Sequence, residues 1–174
     1  MTKGQQPILD SYWVVTGRLR AGEYPSSTNI DEARRRLRWL LEEGTSLVID
    51  LTEEGETKPY ARILHEEADK LDKLVLFKRI PLQDFSTPSI EKIIHILDVI
   101  DLGLNNGQNI YLHCLGGTGR TGMIVGCFLA RHGIPGEDAL KLISQWRKRT
   151  PNGGKQSPET DGQRRMILEW KKEQ

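Results

Sequence analysis

A cysteine and an arginine near the middle of the chain bracket a loop rich in glycine. Residues 113–122 read His-Cys-Leu-Gly-Gly-Thr-Gly-Arg-Thr-Gly, with five residues between Cys114 and Arg120. That spacing lets the backbone curl once, so that successive N–H groups converge on one tetrahedral anion. Gly116, Gly117 and Gly119 make so tight a curl sterically possible. The segment therefore predicts an oxyanion-binding loop.

Cys114 and Arg120 carry the chemistry needed to attack a phosphomonoester. The Arg120 guanidinium can donate to two phosphate oxygens while the Cys114 sulfur lies beneath the phosphorus. Backbone amides at a helix N-terminus also favour the thiolate, which is the nucleophilic form of cysteine. The Thr121 hydroxyl can donate to this sulfur when a phosphocysteine is hydrolysed. The leaving oxygen needs a proton, for which Asp84 is the candidate general acid.

Strands and helices must bring these residues together. Three apolar, β-prone runs cover residues 46–51, 74–80 and 109–113, and a short hairpin covers residues 12–21. Helical patterns cover residues 31–43, 59–71, 90–104, 120–132, 137–149 and 157–171. This order predicts an α/β three-layer sandwich, with a central, mostly parallel sheet of four to five strands flanked by helices. Parallel strands end at one edge, so Asp84 and Cys114 are expected to meet there.

Length and composition favour one domain without a disulfide framework. The 174 residues fit a single catalytic domain, 1–174, of which residues 1–10 are expected to form a loose tail. A net charge of +1 lacks the basic signature of a nucleic-acid binder. The sequence shows neither a leader nor an 18-residue apolar run, which favours a cytoplasmic protein away from membranes. We expect a monomer in which Cys127 packs in the core.

The His-Cys-x5-Arg-Thr-Gly pattern resembles the signature of the cysteine-dependent protein tyrosine phosphatase superfamily. The segment Pro81-Leu82-Gln83-Asp84-Phe85 resembles the general-acid loop of its dual-specificity branch. The paired glycines at 116 and 117 are similar to the loop of cyclin-dependent-kinase-associated phosphatases. The resemblance covers roughly residues 12–170, and only the signature is highly specific.

This resemblance implies a role for each residue of the pattern. It makes Cys114 the nucleophile, Arg120 the phosphate clamp and Asp84 the general acid. His113 would support the loop and the thiolate through hydrogen bonds. Gln163 matches a glutamine that lies near the site in several members, although a position on a helix surface is the favoured interpretation. The amide cradle would comprise Leu115, Gly116, Gly117, Thr118 and Gly119.

The loop also bears on the substrate. The chain lacks the phosphotyrosine-recognition loop of the large receptor-type members, so a strict phosphotyrosine preference is not expected. No lysine lies between Cys114 and Arg120, which favours a singly phosphorylated protein or peptide. Two alternatives stay open: a catalytically weak pseudophosphatase that binds phosphopeptides, and a phosphatase of inositol phosphates or phosphoinositides. No cofactor or metal is expected.

Other interpretations of the same residues rank lower. Residues 117–122 also match G-x-G-x-x-G, but a dinucleotide site needs an acidic residue ending the next strand, whereas Glu137 and Asp138 begin a predicted helix. Arsenate reduction would need further thiols to relay oxidation. Glu53, Glu54 and Glu56 are expected to border the site rim, most simply as a solvated loop.

Overall fold

Strands and helices alternate over residues 7–8 and 10–172, the part of the chain that our computed structural model describes. The strands are β1 (Ser11–Val15), β2 (Leu19–Gly22), β3 (Leu47–Asp50), β4 (Leu76–Arg79) and β5 (Ile110–His113). The helices are α1 (Ile30–Glu42), α2 (Ala61–Lys70), α3 (Ile90–Asn105), α4 (Arg120–Arg131), α5 (Gly136–Arg147) and α6 (Asp161–Glu169). Every predicted strand and helix is present.

The five strands form one sheet in the order β1-β2-β5-β3-β4. Strands β2, β5, β3 and β4 run parallel, and only β1 pairs antiparallel with its neighbour β2. The predicted mostly parallel sheet is therefore confirmed. His113 is in register with Gly22 on one side and with Asp50 on the other, which aligns the carboxyl ends of the central strands. The loops that follow these strands share one edge of the sheet.

Helices cover both faces of the sheet, as the alternation of strand side chains requires. Val48 and Tyr111 face a cluster that includes Leu37 of α1 and Leu64 of α2. Their neighbours in sequence face a larger cluster formed with α3, α4, α5 and α6. Helix α4 is buried from Arg120 to Ala130, so the loop before it has a rigid support. No helix of the described ranges is long and apolar enough to cross a membrane.

The last helix is shorter than its predicted range of residues 157–171. It begins at Asp161, because Thr160 caps it: the Thr160 hydroxyl accepts a hydrogen bond from the Gln163 amide at 3.2 Å. Pro158 lacks the N–H that a longer helix would use. Glu137 and Asp138 lie in the first turn of α5, so the dinucleotide interpretation lacks its acidic strand end.

The expected loose tail over residues 1–10 needs correction where the structure describes it. Ile8 is fully buried in the cluster beneath α1 and α2. The Asp10 carboxylate accepts a hydrogen bond from the Asn152 backbone at 3.2 Å and a second from the Asn152 side chain. Apolar burial and these hydrogen bonds hold the segment against the domain. The rest of the predicted tail, residues 1–6 and 9, lies outside the described residues.

Candidate active site

The loop between β5 and α4 is curled as its glycines predict. Gly117 has a φ of +68°, a left-handed conformation that glycine adopts without strain. A Cβ atom at Gly117 would lie 2.4 Å from the carbonyl carbon of Gly22. Residue 117 must therefore be glycine both for its dihedral angle and for the close approach of β2.

Two side chains from distant positions hold this loop from behind. Arg147, buried at the end of α5, donates from Nη1 to the Gly117 carbonyl at 2.8 Å and from Nη2 to the Thr118 hydroxyl at 3.1 Å. Ser157 donates to the Thr118 carbonyl at 2.7 Å. These bonds engage two carbonyls and one hydroxyl of the loop, and none of them uses a loop amide. Nothing in the sequence marked Arg147 or Ser157, because an isolated arginine or serine carries no motif.

Cys114 is buried at the start of the loop, and His113 orders the peptide beside it. The carbonyl of Cys114 can only accept, so Nδ1 of His113 donates to it at 2.9 Å. Nε2 of His113 then accepts from the Tyr60 hydroxyl at 2.5 Å. Burial lowers the pKa of His113 and raises that of Tyr60, which keeps both side chains neutral in these roles. His113 thus supports the loop through its backbone; no hydrogen bond joins it to the sulfur among the described residues.

The Arg120 side chain is 1% exposed. The Glu56 carboxylate binds the outer edge of the guanidinium, which is the edge formed by Nη1 and Nη2. Glu56 accepts from Nη1 at 2.8 Å and from Nη2 at 2.5 Å, and the Leu82 carbonyl accepts from Nη1 at 3.1 Å. Burial lowers the pKa of Arg120, but the hydrogen bonds to Glu56 and the nearby negative charges together outweigh it, and the net shift is upward. The same hydrogen bonds lower the pKa of Glu56. The pair is therefore ionised throughout the physiological range.

Asp84 lies on the opposite edge of the guanidinium. Its Oδ1 is 3.2 Å from Nε of Arg120, although the angle is too poor for a hydrogen bond, and its side chain is 38% exposed. Asp84 Oδ1 also accepts from the backbone N–H of Phe85, whose φ is +54°. A left-handed phenylalanine is strained, and such strain occurs most often at functional sites. The structure thus brings Asp84 to Arg120, at the edge of the sheet where the sequence predicted that Asp84 and Cys114 would meet.

Thr121 and Gln163 are both buried, with different surroundings. The Thr121 hydroxyl has no hydrogen-bond partner among the described residues, which leaves it able to donate. Gln163 accepts at Oε1 from the backbone of Glu159 and Thr160, at 3.2 and 3.3 Å, and donates to the Ser86 carbonyl at 3.3 Å. The favoured placement of Gln163 on a helix surface was therefore wrong. Its side chain is used to cap α6 and to tie it to the Asp84 loop.

The acidic loop after β3 divides into two parts. Glu53 and Glu54 are exposed, as a solvated loop predicts. Glu56 instead turns inward to Arg120, so the solvated interpretation was wrong for this residue. The only sequence signal for Glu56 was its position after a parallel strand, at the edge where Arg120 also lies.

A pocket of about 580 Å³ opens beside the loop between β5 and α4. Leu115 of the loop, Tyr24 and Pro59 give it a mainly apolar lining, and Glu56 joins it to the arginine. Tyr24 packs edge-on against Tyr60, with ring centroids 5.5 Å apart, so this wall is continuous with the His113 support. Such a pocket can receive the organic part of a phosphoester while its phosphate enters the loop.

Solved structures share this fold over nearly the whole chain. Tk-PTP in its active form superposes with a TM-score of 0.72 at 23% identity, covering 92% of this chain and 95% of that one. The kinase associated phosphatase KAP gives a TM-score of 0.69 at 18% identity, with coverages of 95% and 94%. These likenesses confirm the expected α/β phosphatase-like architecture.

Sequence comparison adds the family. "Putative tyrosine phosphatase 067L" of Invertebrate iridescent virus 3 is 32% identical over 136 residues, which are 75% of this chain and 50% of the viral protein. The chain spans half or less of the length of the curated relatives that it matches. A family described as "Tc-R-P: Polymorphic toxin system, DSP-PTPase phosphatase" matches residues 21–134, well over half of the chain. The chain therefore belongs to the dual-specificity-type phosphatases of the cysteine-dependent protein tyrosine phosphatase superfamily.

Proposed function

We propose that this protein hydrolyses phosphomonoesters on protein side chains through a phosphocysteine intermediate. The observation that carries the proposal is the setting of Arg120. Its outer edge is fixed by Glu56, while the buried Nε on its other edge makes no hydrogen bond within the described part of the chain and faces Asp84. A buried donor left unsatisfied in this way suits a phosphate oxygen. A thiolate at Cys114 would raise the pKa of Arg120 through its negative charge, which supports a role for both groups at one phosphoryl group.

In the first step the Cys114 thiolate attacks phosphorus, and the phosphorus–oxygen ester bond breaks. Asp84, as the carboxylic acid, gives its proton to the departing alkoxide or phenolate. Loop amides and Arg120 stabilise the charge that builds on the equatorial oxygens. This step leaves phosphocysteine, a free hydroxyl compound and an Asp84 carboxylate.

In the second step water attacks phosphorus and the phosphorus–sulfur bond breaks. The Asp84 carboxylate now accepts the water proton, which restores the acid, and inorganic phosphate leaves. Thr121 has a buried hydroxyl with no other partner among the described residues, so it can donate to the departing sulfur. Gln163 borders the loop at Gly119, where a Cβ would lie 3.3 Å from its amide oxygen. It is therefore placed at the loop rim, although its hydrogen bonds make it chiefly a support.

The substrate class follows from the charge around the loop. Residues 115–119 carry no cation, so the loop offers Arg120 as its one formal charge for one phosphoryl group. The pocket beside Leu115 supplies an apolar surface for the residue that carries the phosphate. Both features favour singly phosphorylated peptides. A reducing compartment such as the cytoplasm suits a catalytic thiolate, and both Cys114 and Cys127 are unpaired.

The test combines intermediate trapping with a substrate panel. Acid quenching of the protein during turnover of a phosphotyrosyl peptide should leave one phosphoryl group on the peptide containing Cys114, as read by mass spectrometry. Cys114→Ser should abolish turnover but still bind vanadate. Unchanged hydrolysis by Cys114→Ser would overturn the covalent mechanism. A higher kcat/KM for inositol phosphates than for matched phosphotyrosyl and phosphoseryl peptides would overturn the substrate class.

A further inference from the structure

A second pocket, of about 720 Å³, lies along β1 at the edge of the sheet. Its lining includes neither the catalytic loop nor Asp84. Two tryptophans, Trp13 and Trp146, contribute to its walls, together with Tyr12, on which Trp146 stacks at 6.2 Å between ring centroids. Among the described residues, the charged members of its lining are Arg20, Lys148 and Arg149, without a carboxylate. The pocket therefore combines aromatic surface with three positive charges.

Arg20 is the unusual member of this set, because it is 8% exposed and lacks an ion pair within the described residues. Its guanidinium carbon lies 4.7 Å from the ring centroids of both Trp13 and Trp39. Nε and Nη1 are buried and have no hydrogen-bond partner in the described chain. The tryptophan faces offset part of the free-energy cost of burying the charge. They do not accept hydrogen bonds from these N–H groups as an oxygen atom would.

The groups around Arg20 do not neutralise it. Burial lowers its pKa, and Tyr111 and Glu43 oppose that change. The Tyr111 hydroxyl donates a hydrogen bond to the Glu23 backbone carbonyl. Glu43 lies outside ion-pair distance of Arg20. A buried cation in this state costs free energy until an anion approaches. Arg20 thus adds a buried, unpaired positive charge to the pocket wall.

Lys148 and Arg149 extend the positive charge to the mouth of the pocket. Both side chains are exposed, and neither forms an ion pair with any described residue. By contrast, the arginines of α1 are matched with glutamates: Arg34 and Arg38, for example, both pair with Glu67. The cations of the pocket are therefore available to a ligand, whereas those of α1 are already satisfied.

We propose that this pocket binds a small ligand that carries an anionic group on an aromatic ring. The anionic group would be bound by Lys148 and Arg149 and attracted by the buried charge of Arg20, and the ring would pack on Trp13 and Trp146. The site is separate from the phosphate loop, so it goes beyond the proposed hydrolysis and does not depend on it.

The probe is naphthalene-2-sulfonate, titrated by calorimetry with the active site saturated with orthovanadate. We expect one saturable site, and shifts of the Trp13 and Trp146 indole N–H signals, but not of Trp170, in ¹⁵N-resolved NMR spectra. The Lys148→Glu, Arg149→Glu double variant should bind at least ~10-fold more weakly, which corresponds to about 1.4 kcal/mol. Inorganic sulfate should bind the unaltered protein similarly weakly, because it lacks the ring.

The control is Arg165→Glu, which makes the charge change of either single substitution at an exposed arginine of α6 outside the pocket. Its affinity should stay within ~2-fold of the unaltered protein. Absence of saturable binding, displacement of the probe by vanadate, or an equal loss in Arg165→Glu would each overturn the site. Equal affinities for sulfate and naphthalene-2-sulfonate would overturn the aromatic part of the assignment. The double variant alters only exposed side chains, so a folding defect is not expected to mask the result.

Discussion

Glu56 binds the outer edge of the Arg120 guanidinium with both carboxylate oxygens, at 2.8 and 2.5 Å. A guanidinium presents a second edge, formed by Nε and Nη2, and this edge faces Asp84. Glu56 thereby fixes the plane and direction of the group without covering the edge that a phosphate needs. We regard it as a positioning residue for the proposed reaction.

Glu56→Gln should lower kcat/KM for a small aryl phosphate by ~10-fold, because an amide cannot hold both Nη groups and loses the charge that orients them. Vanadate should bind more weakly by a similar factor. The melting temperature separates this effect from unfolding and should change little. Glu54→Gln is the control, since Glu54 is exposed in the same loop. Equal activity of Glu56→Gln and Glu54→Gln would remove the positioning role.

Asp84→Asn should discriminate between leaving groups. An amide cannot give a proton to the departing oxygen, so kcat/KM for phenyl phosphate should fall by ~100-fold or more. The loss in kcat/KM should be much smaller for p-nitrophenyl phosphate, whose phenolate leaves without help. The comparison uses kcat/KM because this ratio reports the first step alone, whereas kcat also contains the second step, in which Asp84 accepts a proton from water for either substrate. If both substrates lose activity equally, another group supplies the proton.

Tyr60→Phe should destabilise the protein by about 1–3 kcal/mol, because it leaves Nε2 of His113 buried and without a donor. Activity should fall as well, since His113 orders the Cys114 carbonyl. Denaturant unfolding and kcat on an aryl phosphate are the two measurements. Tyr24→Phe is the control, since its hydroxyl bonds the exposed Lys58 carbonyl and its loss should cost less. An equal cost for both variants would contradict a buried Tyr60–His113 bond.

Glu67 should make stability depend on pH in the acid range. Its burial raises the pKa, but hydrogen bonds from Lys70, Arg34 and Arg38 prevail and bring it from 4.5 to about 2. Because the folded-state pKa is lower than the unfolded one, the stabilisation is complete above pH 4.5. It is lost as the pH falls from 4.5 towards 2, and it amounts to up to about 3 kcal/mol.

The measurement is urea unfolding of the unaltered protein and of Glu67→Gln between pH 2.5 and pH 7. Glu67→Gln should be less stable near neutral pH and should lose less stability on acidification than the unaltered protein. Glu66→Gln, which removes a partner of Arg34 at the surface, should behave almost like the unaltered chain. Parallel pH curves for Glu67→Gln and the unaltered protein would show that Glu67 carries no such linkage.

Periodicity and glycine placement predicted most of the fold because they report directly on the backbone. The apolar runs at residues 46–51 and 109–113 are buried on both faces, as central parallel strands must be, and so they identify β3 and β5. Asp84 follows β4 and Cys114 follows β5. Because these strands were predicted to be parallel, the two residues were expected at one edge of the sheet. The start of α6 was missed because Thr160 and Gln163 form its cap from residues that also fit a helix interior.

The supports of the site were harder to predict. Glu56, Arg147 and Tyr60 act through contacts between segments 30 to 64 residues apart in sequence. No local spacing relates such residues to the loop, since each contact exists only after the sheet and helices have packed. Gln163 was assigned to a helix surface for the same reason. The sequence predicted that it lies on a helix, but it did not predict that the loop with Asp84 covers that side of the helix.

The bonds from Arg147 and Ser157 to the loop between β5 and α4 mean that the shape of this loop is a property of the assembled domain. A peptide of residues 113–122, or a graft of that segment onto another strand and helix, would contain Cys114 and Arg120 yet lack the anchors of the loop. A chain that ended before residue 157 would lose one anchor and the cap of the last helix together. In this protein, side chains 30 to 39 residues beyond the loop complete its hydrogen bonding.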